Sequence, residues 1–161
     1  MNNSQIAVVL QDIASLLEMK REKRFTVLAY QRASRLIEHY HYELSRAVCE
    51  NADLTEIPGI GEALSSKIKE LVTTGNMQYF ENLRNELPEG ILEVVKIRGI
   101  GPKTAISIHE KLGISTVNSL QRSIEKGELN DVPGIGKKKA QSILREIWFA
   151  KNKGNGITLA R

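Results

Sequence analysis

The sequence is poor in cysteine and in aromatic residues. Its 161 residues include a single cysteine, Cys49, which excludes an intramolecular disulfide and any metal site that needs several cysteine ligands. We expect Cys49 itself to be a half-buried thiol on a helix. Aromatic residues make up 5% of the chain, so it offers few flat surfaces on which nucleobases could stack. Tyr79, Phe80 and Trp148 are expected in the core instead.

Long apolar runs are also missing. No uninterrupted apolar stretch approaches the roughly 20 residues of a membrane-spanning helix. The N-terminal stretch MNNSQIAVVLQDIASLLEMKREKR carries Asp12 within its apolar part and its basic residues after it, which is the wrong order for a secretory signal. We therefore expect a cytoplasmic protein that does not use a membrane. The length suits one ordinary domain or two small ones.

The net charge of +4 is unevenly distributed along the chain. Residues 20–35 hold six basic residues and one acidic residue, whereas residues 36–95 hold four basic and eleven acidic residues. Residues 132–161 hold seven basic residues, with Glu146 as their one acidic residue. A polyanion should therefore bind to the C-terminal part of the chain more readily than to its acidic middle.

Helical periodicity runs through nearly the whole sequence. Apolar residues recur at intervals of three and four, and runs of alternating β-branched residues are missing, so we predict an all-α helical bundle without a sheet. Ser4 is expected to cap the first helix, whose buried face is predicted to hold Ile6, Leu10, Ile13 and Leu17. A second helix from about Glu22 is expected to pack through Phe25, Leu28, Ala29, Ala33 and Leu36. Further helices are predicted over about 42–49, 62–74, 77–87, 102–112, 116–127 and 137–151.

One glycine-rich pattern occurs three times. The stretches IPGIGEALSSKI, IRGIGPKTAISI and VPGIGKKKAQSI occupy residues 57–68, 97–108 and 132–143, and their opening turns (57–61, 97–101 and 132–136) are called here the first, second and third hairpins. Each copy keeps two glycines around an isoleucine, then a small residue, then a second isoleucine. The residues in this order are Gly59, Ile60, Gly61, Ser65 and Ile68; Gly99, Ile100, Gly101, Ala105 and Ile108; and Gly134, Ile135, Gly136, Ala140 and Ile143.

Each element of the pattern has a mechanical reason. The glycines allow backbone angles that other residues resist, the central isoleucine fills the space between two helices, and the small residue lets those helices approach. The N–H groups of such a turn, just before a helix begins, form a cradle for a phosphate. Lys137, Lys138 and Lys139 lie on a first helical turn, where the helix dipole disfavours cations, so their presence there favours a bound polyanion.

These turns resemble the helix-hairpin-helix motif, a family of sequence-independent DNA-binding hairpins. The resemblance implies that hairpin amides contact phosphates of one strand and that a lysine two residues past the second glycine, here Lys103 or Lys138, adds a charge contact. The DNA contacts it predicts are the six hairpin glycines with Lys103, Thr104, Lys137, Lys138 and Lys139. It also implies a bound Na⁺ or K⁺, held by the backbone carbonyls of Ile97, Ile100, Val132 and Ile135. No other cofactor is expected.

The order of the elements over about residues 5–150 resembles the N-terminal half of a bacterial or archaeal family X DNA polymerase, the group that includes DNA polymerase beta. The resemblance implies a lyase-domain-like bundle over residues 1–87 with the first hairpin, a DNA-binding domain over 88–153 with the other two, and a tail over 154–161. A polymerase palm would need paired aspartates for two magnesium ions, and no acidic residue follows Glu146. We therefore expect no nucleotidyl transfer by this chain alone.

A lyase activity is the second function that the resemblance implies. Lys67 occupies the position of the family lysine that forms a Schiff base with an abasic sugar, and Tyr30 matches a family tyrosine. However, Phe25, Thr26 and Ala63 stand where lyase-active members have basic residues, and Glu62 adds negative charge to the first hairpin. The alternative for Lys67 is a surface lysine paired with Glu70 or Glu62.

Three functions therefore stay open. The first is non-enzymatic binding of double-stranded or gapped DNA, most simply in DNA repair. The second is an abasic-site or deoxyribose-phosphate lyase that uses Lys67. The third is a scaffold for an unidentified protein partner, because the first hairpin has lost the basic residues that a phosphate would need.

Overall fold

The computed structural model of the protein describes residues 1–154 and contains no strand in that range. The prediction of an all-α protein is confirmed. Two short 3₁₀ turns, Leu54–Glu56 and Glu128–Asp131, precede the first and third hairpins. The described α-helices are α1 (Asn3–Met19), α2 (Arg24–Glu38), α3 (Leu44–Cys49), α4 (Glu62–Thr74), α5 (Gln78–Asn85), α6 (Ile91–Val95), α7 (Pro102–Leu112), α8 (Val117–Glu125) and α9 (Lys137–Gly154). The predicted tail, residues 154–161, lies outside the described residues except for Gly154, which ends α9.

The chain divides into two compact units. The first is Met1–Leu87, which contains α1 to α5 and the first hairpin. The second begins at Pro88 and contains α6 to α9 with the second and third hairpins. No helix within residues 1–154 is both long enough and apolar enough to cross a membrane.

The core of the first unit is built on the long contact between α1 and α2. The predicted face of α1 is confirmed, because Ile6, Leu10, Ile13 and Leu17 are all buried. The predicted cap at Ser4 is wrong, since the helix begins earlier. Asn2 accepts a hydrogen bond from the Gln5 N–H, and the Gln5 side chain accepts one from the Asn2 N–H, which satisfies two amides at once.

The predicted packing face of α2 is partly wrong. Phe25 is 82% exposed and Ala29 is exposed, while the buried positions are Val27, Ala33, Ser34 and Ile37. Ser34 lies on the buried face because its hydroxyl donates to the Ala7 carbonyl at 2.7 Å. The small side chains of Ala33 and Ser34 therefore let α2 approach α1 closely. The buried face of α2 is rotated away from the face that the apolar residues alone predicted.

Helix α9 also differs from its prediction. Ala140, Ile143 and Ile147 form its buried side, and Trp148 is 52% exposed. Ile147 fills the buried position of this turn, and Trp148, about 100° further around the helix, lies at the surface. The predicted placement of Trp148 in the core is therefore wrong. So is the expectation of a half-buried thiol, since Cys49 is exposed at the end of α3.

Candidate nucleic-acid interface

The three hairpins share one backbone conformation. In each, a four-residue turn closes when the central isoleucine N–H donates to the carbonyl three residues earlier, at 3.0, 3.0 and 3.1 Å in the first, second and third copies. The third residue of each turn, Gly59, Gly99 or Gly134, has a φ of +98°, +98° or +84°. A positive φ at this position is the signature of a type II turn and explains why glycine stands there in every copy.

The second glycine of each hairpin leads directly into a helix. The carbonyls of Gly61, Gly101 and Gly136 accept the amides of Ser65, Ala105 and Ala140 at 2.8, 2.9 and 3.0 Å. Gly61 and Gly101 are the N-caps of α4 and α7, and neither supplies a side-chain hydrogen bond to the first turn. The amides in the first turn of α4 are therefore left for another acceptor, and so are those of Lys103 and Thr104 in α7, whose first residue, Pro102, has no N–H. The missing side chain at each N-cap keeps the approach to these amides open.

The inward side of the hairpins is as predicted. Ile60, Ile100 and Ile135 are 3%, 4% and 3% exposed, and the small residues and second isoleucines of the pattern are also buried. The repeat extends further back than the sequence pattern indicated. Six residues before each central isoleucine lies a buried apolar residue, Leu54, Val94 or Leu129, whose carbonyl accepts an amide of the turn. An apolar residue six positions before the central isoleucine is therefore a further signal of this repeat in the sequence.

Each of the first two hairpins rests on a helix of its own unit. A methyl group built on Gly59 would lie 3.5 Å from Cδ1 of Leu36 in α2, and one on Gly99 would lie 3.9 Å from Cγ1 of Ile143 in α9. Since α9 is the helix that the third hairpin opens, the second and third hairpins belong to one packed arrangement within the second unit.

The hairpins differ on their outward side. Lys103 follows the second hairpin and Lys137, Lys138 and Lys139 follow the third; all four are exposed, and none forms an ion pair with the described residues. Thr104 is partly exposed. The corresponding positions of the first hairpin hold Glu62 and Ala63, both exposed. In the second unit, exposed lysines therefore lie beside the free amides at the helix starts, whereas in the first unit the corresponding positions carry no positive charge.

Carbonyl oxygens of the hairpins retain capacity for a cation. Those of Ile97 and Val132 each accept one hydrogen bond, from Ile100 and Ile135, and an oxygen of this kind has a second lone pair. Backbone carbonyls of this type can coordinate a monovalent cation. Within the part of the chain that the structure describes, no group of three His, Cys, Asp or Glu side chains is placed to hold a metal ion.

Lys67 and Tyr30, the predicted lyase residues, both lie against Tyr79. The Lys67 Nζ is 4.8 Å from the centroid of the Tyr79 ring, and the Tyr30 and Tyr79 rings stack with centroids 6.0 Å apart. Burial, and then the neighbouring Tyr79, raises the pKa of the Tyr30 hydroxyl well above its usual value. The alternative pairing of Lys67 with Glu70 or Glu62 is not found among the described residues. The Glu70 carboxylate accepts the Gln78 amide at 2.9 Å.

Known protein families match both units. A family described as a helix-hairpin-helix domain matches residues 1–77, and one described as a SAM-like helix-hairpin-helix tandem matches residues 91–147. Together the matches contain all three hairpins. Each unit of this chain contains a helix-hairpin-helix domain. The first unit has one hairpin and the second has a tandem pair.

Several relatives of this helix-hairpin-helix protein are longer. The DNA polymerase/3'-5' exonuclease PolX of Bacillus subtilis is 30% identical over 150 residues, which are 93% of this chain and 26% of that protein. The Holliday junction branch migration complex subunit RuvA of Acidovorax sp. is 32% identical over 91 residues, which are 56% of this chain and 48% of that protein. RuvA of Bordetella petrii is 42% identical over 55 residues, which are 34% of this chain and 29% of that protein. The chain thus spans about a quarter of PolX and at most about half of RuvA. The predicted similarity to a bacterial family X polymerase is confirmed.

Proposed function

We propose that this protein binds double-stranded DNA through its backbone phosphates, without sequence preference, and that it recognises gapped or nicked DNA during repair. The observation that carries the proposal is the repeated hairpin, in which an ordered turn presents free amides at the start of a helix next to exposed lysines. The names of PolX and RuvA, which describe proteins that act on DNA, support the same ligand.

The proposed phosphate contact has three parts. The first amides of the helix donate to phosphate oxygens, the positive end of the helix dipole attracts the charge, and the lysine two residues past the second glycine adds an ion pair. At the second hairpin these parts are the Gly101 turn, α7 and Lys103, with Thr104 alongside. At the third they are the Gly136 turn, α9 and Lys138, with Lys137 and Lys139 on either side in sequence. Phosphates carry no base identity, so this contact explains binding without sequence preference.

A salt series tests the proposal. Fluorescence anisotropy compares a one-nucleotide-gapped duplex with its intact counterpart, using the wild type and Lys103→Glu/Lys138→Glu. If the two hairpins engage about 4–6 phosphates, log K falls with log salt at a slope of roughly −4 to −5. The double variant should bind much more weakly with a flatter slope, and the gapped duplex should bind best. Lys111→Glu/Lys126→Glu is the matched control, because it makes the same charge change in the same unit, at the C-terminal ends of α7 and α8.

Two results would contradict the proposal. If both double variants weaken binding equally, net charge rather than the hairpins determines the affinity. If neither duplex binds the wild type below about 100 μM at low salt, weaker than ordinary non-specific DNA binding, the protein is a scaffold and its ligand is a protein partner.

A Na⁺ or K⁺ is part of the same proposal. The carbonyls of Ile97 and Ile100, and those of Val132 and Ile135, would hold it at the second and third hairpins. Its charge would strengthen the attraction for a phosphate. At constant ionic strength, replacing K⁺ or Na⁺ by a bulky tetraalkylammonium ion should weaken DNA binding, and equal affinity in all three salts would remove the cation from the proposal.

The second candidate is a lyase, favoured by the convergence of Lys67 and Tyr30 on Tyr79. The Lys67 amine would add to the C1′ aldehyde of a ring-opened abasic sugar and lose water to form a Schiff base. Loss of a C2′ proton to water would then expel the phosphate at C3′, and hydrolysis would restore the amine. Because its pKa is raised, the Tyr30 hydroxyl stays protonated and would donate a hydrogen bond rather than accept the proton.

Borohydride trapping decides between the lyase and simple binding. The reductant converts the Schiff base on abasic DNA into a permanent adduct that is seen as a shifted band. Lys67→Ala should abolish the adduct, while Lys69→Ala, which removes an exposed lysine from the same helix, should retain it. A wild type that gives no adduct while it binds the same DNA would leave DNA binding as the function of the protein.

A further inference from the structure

Two aromatic side chains are exposed on α9, away from the hairpins. Trp148 is 52% exposed and Phe149 is 46% exposed, and their rings meet edge to face with centroids 5.3 Å apart. Exposed aromatic side chains that lie together offer contiguous apolar surface, and such surface is often where a partner binds. Neither ring takes part in the hairpin contacts described above, so the pair is free to bind a separate part of a ligand.

Positive charge lies on the same side of α9 as the aromatic pair. With 3.6 residues per turn, positions seven and eleven apart return to nearly the same side of a helix. Lys138, Arg145 and Phe149 are related by these intervals, and all three are exposed. The outer face of α9, defined by Lys138, Arg145, Trp148 and Phe149, therefore runs from the third hairpin to the aromatic pair. Lys138, Arg145 and Phe149 lie opposite the buried side of the helix, and Trp148 lies at the edge of this face.

This outer face is held in a fixed position. The Lys151 Nζ donates to Oδ1 of Asn118 at 2.8 Å and to Oε1 of Gln121 at 2.5 Å, which ties the later turns of α9 to α8. Ile147, next to Trp148, is 1% exposed and anchors the same turns from inside. A surface that is already ordered loses little conformational freedom when a ligand binds.

We propose that the outer face of α9 binds a single-stranded segment of DNA, with phosphates at Lys138 and Arg145 and unpaired bases stacked on Trp148 and Phe149. The proposal rests on the DNA binding proposed above, because the duplex beside that segment is the one held at the third hairpin. Charge and shape favour this ligand. A nucleic acid strand combines a polyanionic backbone with flat bases, and a basic surface that ends in exposed rings matches both.

The length of the face is adequate for this role. The eleven residue-to-residue steps from Lys138 to Phe149 span about 16 Å along the helix axis. That distance accommodates a few nucleotides of an extended strand and is too short for a long tract. The expected ligand is therefore the unpaired part of a gapped, nicked or tailed duplex.

Trp148 provides a direct measurement, because it is the one tryptophan of the chain. Its fluorescence is followed during titration with three DNAs: a blunt duplex, the same duplex with a short thymidine tail of either polarity, and the same duplex with a tail of stable abasic analogues. Anisotropy of labelled DNA gives the affinities in parallel. The abasic tail keeps the phosphates and removes the bases, so it separates stacking from charge.

The thymidine tail of at least one polarity should quench Trp148 and tighten binding over the blunt duplex. The abasic tail should leave the fluorescence unchanged and tighten binding less, because it offers phosphates but no bases. Trp148→Ala/Phe149→Ala should weaken binding of the thymidine-tailed duplex by about fivefold or more and leave the blunt duplex unchanged. Phe25→Ala is the matched control, because it removes an exposed aromatic residue from the first unit and should change neither affinity.

The possible failures are distinguishable. If blunt and tailed duplexes bind equally and Trp148 fluorescence is unchanged, this inference is wrong while the proposed DNA binding stands. If no DNA binds, the proposed function is wrong and this inference falls with it. If the fluorescence instead changes with protein concentration in the absence of DNA, the outer face is a contact between copies of the chain and the single-strand site is overturned.

Discussion

The ammonium group of Lys67 lies over the ring of Tyr79, with Nζ 4.8 Å from the ring centroid. The contact joins α4 to α5 across the turn at Gly75. A cation over a tyrosine face contributes about 0.5–1 kcal/mol at an accessible site. Whatever its chemical role, Lys67 should therefore contribute to the stability of the first unit.

A double-mutant cycle measures this contribution. Lys67→Ala, Tyr79→Leu and the double variant should show a coupling of about 0.5–1 kcal/mol in urea unfolding. Lys69→Ala combined with Tyr79→Leu should show none, because Lys69 is exposed elsewhere on α4. Additive effects of the Lys67 and Tyr79 substitutions would mean that the contact does not stabilise the fold.

The two glycines of the second hairpin should respond differently to alanine. Gly99 has a φ of +98°, so Gly99→Ala should lower the free energy of unfolding by about 1–2 kcal/mol, although the added methyl has ordinary space around it. Gly101 has an extended backbone and open space, so Gly101→Ala should change stability by no more than about 0.5 kcal/mol. If phosphate approaches the α7 amides, Gly101→Ala should nevertheless weaken DNA binding. Equal unfolding midpoints for the two variants would contradict the assigned roles.

Restoring positive charge to the first hairpin should strengthen DNA binding. Glu62→Lys replaces an exposed acidic side chain with a basic one at the start of α4, where the free amides resemble those of α7. One added phosphate contact should steepen the slope of log K against log salt by about 0.9. Glu38→Lys makes the same charge change at the end of α2 and should leave the slope nearly unchanged. Identical slopes for both variants would show that the first hairpin does not approach DNA.

Asp53 should contribute to the acid sensitivity of the first unit. Its carboxylate accepts the Thr55 hydroxyl at 2.6 Å and the Thr55 amide at 2.9 Å, and these bonds lower the pKa of Asp53 below its usual value. A lowered pKa in the folded state stabilises the protein above the unfolded value, and that stabilisation is lost as pH falls through the folded value. Thermal midpoints measured from pH 5 downward should therefore fall less steeply in Asp53→Asn than in the wild type. Thr55→Val should lie between them, and parallel curves for all three would contradict this role.

The hairpins could be predicted from the sequence because their geometry is local. The turn needs a positive φ at Gly59, Gly99 or Gly134, and a central isoleucine fills the space that the turn creates. Neither requirement depends on a distant part of the chain. The bounds of α4 and α7 agree with the prediction for the same reason, because a glycine caps each of these helices at both ends.

The remaining surfaces depended on tertiary contacts that spacing does not show. Trp148 was assigned to the core by its type, but Ile147 occupies the buried side of α9. Ser34 is buried because a carbonyl of another helix accepts its hydroxyl. The alternative for Lys67 paired it with an acidic residue of its own helix, whereas its ammonium group lies over a ring on α5. In each case the placement of the side chain is decided by another residue, on the same helix or on a different one, and the spacing of apolar residues does not show that contact.

Each hairpin separates the positions that stabilise it from the positions that carry its charge. Leu54, Ile57 and Ile60 face inward in the first copy, while Glu62 and Ala63 face outward. A duplicated hairpin can therefore lose or regain attraction for a polyanion through single surface substitutions, without passing through an unstable intermediate. Three copies of one turn can in this way diverge in ligand while the chain remains folded at every step.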